Sequence, residues 1–194
     1  MSQAHAVSPA GKVDAVAVQV EVEGSWPAES TLRVGVLLGL AAVTMLFLAF
    51  TSAFIVRQGL DAQWLSLRLP RLLPANTVVL LLSSVCVEFA RRAIKSKPWL
   101  LATLAGGLLF LAGQLLIWRQ MAGSGLVFSA NAHASFFYTL TAVHGVHLAG
   151  GLVALGWVAS VGSTTRRWVD ALALYWHFMG ALWLYLVFLL FAVR

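Results

Sequence analysis

Three histidines sit inside long apolar runs near the C-terminal end of the chain: His144, His147 and His177. An imidazole surrounded by hydrocarbon is costly and needs a polar partner or a function. His144 and His147 are three residues apart, which on a helix places them on one face about a turn apart. His133, Phe137, Leu140, Gly151 and Ala154 continue the same alternation of three and four. Ser135, Thr139 and Thr141 offer hydroxyls nearby. Such a pair can ligate a metal or haem or relay protons. It can equally be two neutral imidazoles hydrogen-bonded to a neighbouring helix. His177 lies in a second segment, Tyr175-Trp176-His177-Phe178, followed by Trp183. Helix ends read from the apolar runs put His147 roughly 20 Å and His177 roughly 10 Å from the same membrane face at 1.5 Å per residue. One four-coordinate metal, with Zn–N near ~2 Å, does not easily bridge that difference.

Glu88 is the single acidic residue inside an apolar run. It precedes Arg91 and Arg92 by three and four residues, so an interfacial ion pair on one helix face is expected; the alternative is a carboxylate that relays protons. Asp170 is expected to cap the last helix, where a carboxylate favours the positive end of the dipole. No phosphate loop, cysteine cluster or nucleophile–base pair occurs, so neither a catalytic residue nor a metal set is assigned. The stretch from Gly106-Gly107 to Gly113-Gln114 reads as helix packing.

The elements that carry these residues are set by composition. Of 194 residues, 60% are apolar and 10% charged, and the mean hydropathy is +0.87. A soluble domain is roughly 25% charged, so this is a membrane composition. Eight tryptophans suit the membrane–water interface. The net charge of +6 does not indicate nucleic acid, because the basic residues lie in short loops between apolar runs. The lone Cys86 reads as a reduced packing thiol.

Five runs approach the ~20 apolar residues that span hydrocarbon as a helix. They predict an all-α integral membrane bundle with helices at about 32–56, 74–93, 98–118, 133–160 and 171–193. Residues 1–30 are expected to form a polar tail without signal-peptide features, and residues 31–194 the membrane domain. Pro74 and Pro98 fall in first helical turns. Gly35 with Gly39, and Gly145 with Ala149, suggest close helix approach. Lys12, Arg33, Arg91, Arg92, Lys95, Lys97, Arg166 and Arg167 share one side, against Arg57, Arg68, Arg71, Arg119 and Arg194 on the other. That excess predicts a cytoplasmic N-terminus and a periplasmic C-terminus.

The stretch Ser135-Phe136-Phe137 through Thr141-Ala142-Val143-His144-Gly145-Val146-His147 to Gly151 resembles subunit III of haem–copper terminal oxidases. That family reads S-x-F-F-x-x-T-G-x-H-G-x-H at this place. Tyr175-Trp176-His177-Phe178 with Trp183-Leu184 is similar to its final-helix Y-W-H-F-x-D-x-x-W-L. Asn76-Thr77, Leu80 to Ser84 and Ala90-Arg91-Arg92 are compatible with its second helix in short, five-helix bacterial members.

The resemblance implies a non-catalytic subunit of a bacterial cytochrome c oxidase, embedded in the cytoplasmic membrane. That complex serves aerobic electron transport and couples O2 reduction to proton pumping. The subunit would pack beside subunits I and II, which hold the haem and copper. It would bind phospholipid but no redox centre, and support sustained proton uptake. His144, His147 and His177 would then be structural hydrogen-bonding residues. Two family carboxylates are missing: Val43 and Gly180 stand at those places. A quinol oxidase subunit III, or the accessory subunit of a nitric oxide reductase, keeps the fold and changes the complex. A small cytochrome with two histidines on one haem, and a transporter, are rivals of other classes. The transporter lacks a polar pathway, since only Glu88, Gln114 and the histidines break the spans.

Overall fold

The computed structural model describes residues 28–60, 70–125, 132–161 and 166–192. Among them are five helices: α1 (Ala28–Leu60), α2 (Leu72–Arg92), α3 (Lys97–Gly123), α4 (Ala132–Ser160) and α5 (Arg166–Ala192). All five are long and apolar enough to cross a membrane. Only helices and closed barrels satisfy every backbone polar group in hydrocarbon, so the all-helical fold follows from the composition. Pro98 sits in the first turn of α3, where its missing N–H costs nothing.

Consecutive helices α2, α3, α4 and α5 pack in a ring, each against its neighbours, with α5 closing back on α2. Helix α1 stands outside this ring and touches α4 and α5. The core runs along the ring's axis through Leu80, Phe110, Phe137, His144, Trp176 and Trp183, each 0–1% exposed. On α1, the inward face is Leu40, Val43, Phe47, Thr51 and Phe54. Leu38, Met45, Leu48 and Ile55 face outward, as expected of a helix whose other side meets lipid or another chain.

Helices α1, α3 and α5 are longer than the apolar runs that predict them. Helix α1 begins at Ala28, inside the segment expected to be tail, and residues 1–27 lie outside the described residues. Helix α3 continues to Gly123, and α5 starts at Arg166 instead of 171. The physical reason is that hydropathy marks the hydrocarbon boundary, while a helix continues into the headgroup zone where long basic side chains reach water. Asp170 is therefore no cap. It lies in the second turn of α5, with Oδ1 4.0 Å from Arg91 Nε on α2.

The close approaches also fall elsewhere than expected. A Cβ placed on Gly35 or Gly39 would meet nothing within 4 Å, and on Gly145 only Leu111 Cδ2 at 3.8 Å. Among the described residues, three of the four tightest contacts lie on α3, and the fourth is at Gly151 of α4. A Cβ at Gly106 would come 2.7 Å from Ser83 Cβ, and at Gly107 2.7 Å from both Leu152 Cδ2 and Trp176 Cη2. At Gly113 it would collide with the Asn76 amide. Helix α3 thus presents the smooth surface on which α2, α4 and α5 close. Gly107→Ala should overpack this site and destabilise the protein by about 1–3 kcal/mol. Gly39→Ala should stay within about 0.5 kcal/mol. Thermal denaturation of the two purified variants checks the contrast, and equal effects would contradict it.

Candidate functional site

The polar residues of the core tie the helices together by one repeated arrangement. Thr77 Oγ1 donates to Leu73 O at 2.9 Å and accepts from Trp183 Nε1 at 3.0 Å. Ser83 Oγ donates to Leu80 O at 2.7 Å and accepts from Trp176 Nε1 at 3.0 Å. Thr141 Oγ1 donates to Phe137 O at 2.7 Å and accepts from Trp118 Nε1 at 3.1 Å. Thr51 Oγ1 donates to Phe47 O at 2.8 Å and accepts from Tyr185 Oη at 3.0 Å. In each case a hydroxyl spends its proton on its own helix and offers a lone pair to an aromatic donor on the next. The pairs join α2 to α5 twice, α3 to α4, and α1 to α5.

The three motif histidines go to three different places. His144 is fully buried, its ring 5.1 Å from that of Trp183 at 34° and 6.1 Å from that of Phe110 at 81°. His147 turns to α1, with its ring 6.1 Å from Phe47 and Nδ1 2.8 Å from Val143 O on its own helix. Its carbonyl accepts a 2.7 Å bond from Tyr175 Oη. His177 faces α2, with Nε2 3.5 Å from Glu88 Oε2. The axial gap expected between His147 and His177 shrinks, because the earlier start of α5 places His177 roughly 17 Å along its helix. What separates them is direction. One faces α1 and the other α2, while His144 is packed between Phe110 and Trp183. That arrangement does not fit two axial ligands on one haem. Among the described residues, no three His, Cys, Asp or Glu side chains come together as a metal site.

The other motif residues pack around these contacts. Phe137 is fully buried, and Phe136 stacks edge-on to Phe54 of α1 at 5.3 Å. Gly151 admits Tyr175, whose Cε1 would lie 2.6 Å from a Cβ there. Phe178 lines a groove between α1 and α5 with Phe47, Leu48 and Tyr185. Ser135 is half-buried near the start of α4.

Glu88 forms a compact charged group at one end of the bundle. Oε1 lies 2.6 Å from Arg92 Nε and 3.2 Å from Arg91 Nη2. With His177 on one flank and the Arg91–Asp170 contact on the other, this group pins α2 to α5 at their common end. Sequence spacing locates the Arg partners but not His177 or Asp170, which arrive from another helix.

Asn76 is the other residue that spacing does not single out. Its Nδ2 donates to Phe110 O at 3.2 Å and lies 3.5 Å from Gln114 Oε1. The available signal is its type, an amide within an apolar run, which must find partners inside the protein.

Chain and site together define a multi-pass membrane protein whose polar core serves helix packing. The profile of the family described as "Cytochrome c oxidase subunit III" matches residues 16–193. Cytochrome c oxidase subunit 3 of Synechocystis sp. is 31% identical over 174 residues, covering 81% of this chain and 73% of the relative. The probable cytochrome c oxidase subunit 3 of Nocardia farcinica is 28% identical, with 84% and 88% covered. Cytochrome c oxidase subunit 3 of Thermostichus vulcanus is 26% identical, with 93% and 96% covered. The chain belongs to the cytochrome c oxidase subunit III family. It is a non-catalytic subunit III of a haem–copper oxidase and associates with other oxidase subunits in a complex.

Thr77→Val preserves shape and removes the acceptor of Trp183. The orphaned indole N–H should cost about 1–3 kcal/mol, read as a lower thermal transition of the purified protein. A Thr77→Ser variant, which keeps the hydroxyl, should recover most of the loss. A neutral Thr77→Val would contradict the role of this bond.

Proposed function

We propose that this chain lies beside subunits I and II of a bacterial cytochrome c oxidase, in the cytoplasmic membrane. It buries a flank of the catalytic subunit, holds phospholipid, and carries neither haem nor copper. The observation that carries this reading is the separate placement of the three motif histidines. His144 is packed against Trp183, His147 against Phe47, and His177 beside Glu88. Each has a packing role, which supports haem and copper residing in partner subunits. The donor is cytochrome c, in keeping with the names of the relatives reported above.

The N-terminus is cytoplasmic and the C-terminus periplasmic. Arg91, Arg92, Lys95, Lys97, Arg166 and Arg167 all belong to the same end of the helices, and a cluster of basic residues favours the inside. A cleft of about 280 Å³ supports the lipid assignment. Leu32 and Val36 of α1, Trp157 of α4, and Trp168, Leu172 and Tyr175 of α5 line it. Its wall is apolar, as an acyl chain requires, and Trp157 and Trp168 meet edge-on at 5.6 Å near its basic end. Indole rings favour that interfacial depth.

The test compares the purified oxidase with and without this chain. The depleted complex should retain its haem absorption and initial rate of O2 reduction, and lose activity faster during continuous turnover. Loss of haem absorption on depletion, or haem purifying with this chain alone, would contradict the proposal.

A further inference from the structure

Two buried side chains in the middle of the four-helix ring have polar atoms without protein partners. Both ring nitrogens of His144 lack a hydrogen bond, and so does Nε2 of Gln114. His144 is 0% exposed and Gln114 4%. Buried polar groups in native proteins are nearly always hydrogen-bonded, to protein or to ordered water. In hydrocarbon the requirement is stricter, because no bulk solvent reaches the group.

The two side chains lie at the same level of adjacent helices. Trp118 of α3 bonds Thr141 of α4, and about two turns back along α3 and one turn on along α4 the Phe110 ring meets that of His144. Leu111 approaches Gly145 at that second level. Gln114 lies on α3 between Phe110 and Trp118, and so opposite the turn of α4 that carries His144. On the other side, Asn76 Nδ2 of α2 lies 3.5 Å from Oε1. The amide therefore keeps its acceptor toward α2 and has an unmatched pair of N–H donors. The buried hydroxyls of Thr77 and Thr141 are already engaged. Thr77 and Thr141 each donate to a carbonyl of their own helix and accept from an indole.

We infer that the centre of the bundle is an internal hydration site in which ordered water joins Gln114 Nε2 to His144. The donor and acceptor count fits. A water accepts from the Gln114 amide and donates to the unprotonated nitrogen of a neutral imidazole. A water at the other ring nitrogen accepts its N–H. A buried water commonly makes about three such bonds. The site gives His144 a second task beside its packing against Trp183 and Phe110. It sets the tautomer and orientation of the imidazole against Trp183, and links α3 to α4 at mid-bundle.

Two measurements on the intact oxidase test this. A high-resolution cryo-EM map should hold density within about 2.7–3.2 Å of both Gln114 Nε2 and a His144 nitrogen. A direct Gln114–His144 bond, or protein atoms filling the space between them, would overturn the inference. Thermal melting of complexes bearing His144→Leu, Gln114→Leu and both gives an independent reading. Sharing one hydration site predicts that the double variant's drop in melting temperature is clearly smaller than the sum of the single drops. Strictly additive drops would overturn it. If a Leu variant does not assemble, the density in the unaltered complex still decides.

Discussion

In a bilayer, every buried donor must find an acceptor inside the protein. This chain meets that constraint by pairing aromatic donors with hydroxyls on neighbouring helices. Trp183 with Thr77, Trp176 with Ser83, Trp118 with Thr141 and Tyr185 with Thr51 are the same device at four points. Each contact is individually modest, since measured interhelical hydrogen bonds in membranes average about 0.6 kcal/mol. Their effect is directional: a hydroxyl committed to its own helix offers a lone pair in a fixed direction, which sets helix rotation where apolar packing alone would not. The glycines of α3 then allow the helices to close. The placement of the histidines follows, because rotation of α4 and α5 decides whether an imidazole faces the core, α1 or α2.

Val43 and Gly180, where the resemblance implies carboxylates in other members, illustrate the same logic. Val43 is buried on the inward face of α1 and belongs to the main apolar core. Gly180 is buried where a Cβ would come 3.2 Å from Ser84 Oγ of α2. Val43 is enclosed by apolar side chains, whereas Gly180 lies against the Ser84 side chain of α2. The Ser84 hydroxyl is buried and makes no hydrogen bond to another protein group. A buried carboxylate at either position is expensive without matching donors.

How much of this was legible in the sequence depends on the scale of the signal. The five spans follow from run length, because hydrophobic thickness alone dictates them. The Glu88–Arg91–Arg92 group follows from helical spacing. The ends of α2 and α4 follow to within two residues, but the start of α5 did not, since Arg166 and Arg167 interrupt hydropathy without interrupting the helix. The same error produced the apparent depth difference between His147 and His177, and the reading of Asp170 as a cap. Interhelical partners were also hidden. Helices apolar on nearly every face carry little periodic signal for which side meets which neighbour, so His177 beside Glu88 and Asn76 beside Gln114 emerge only from the packed bundle. Gly35 and Gly39 show the converse. Their spacing is that of a packing motif, yet within this chain they face open space.

This bundle belongs to the cytochrome c oxidase subunit III family, and its histidines pack against three different neighbours. The most direct measurement is purification from native membranes in mild detergent, with a visible spectrum and mass spectrometry of the accompanying chains. Haem absorption carried by a large catalytic subunit should come down with this one. A chain that comes down alone and colourless would contradict membership of such a complex, and a chain that comes down alone with haem would contradict the structural role of its histidines.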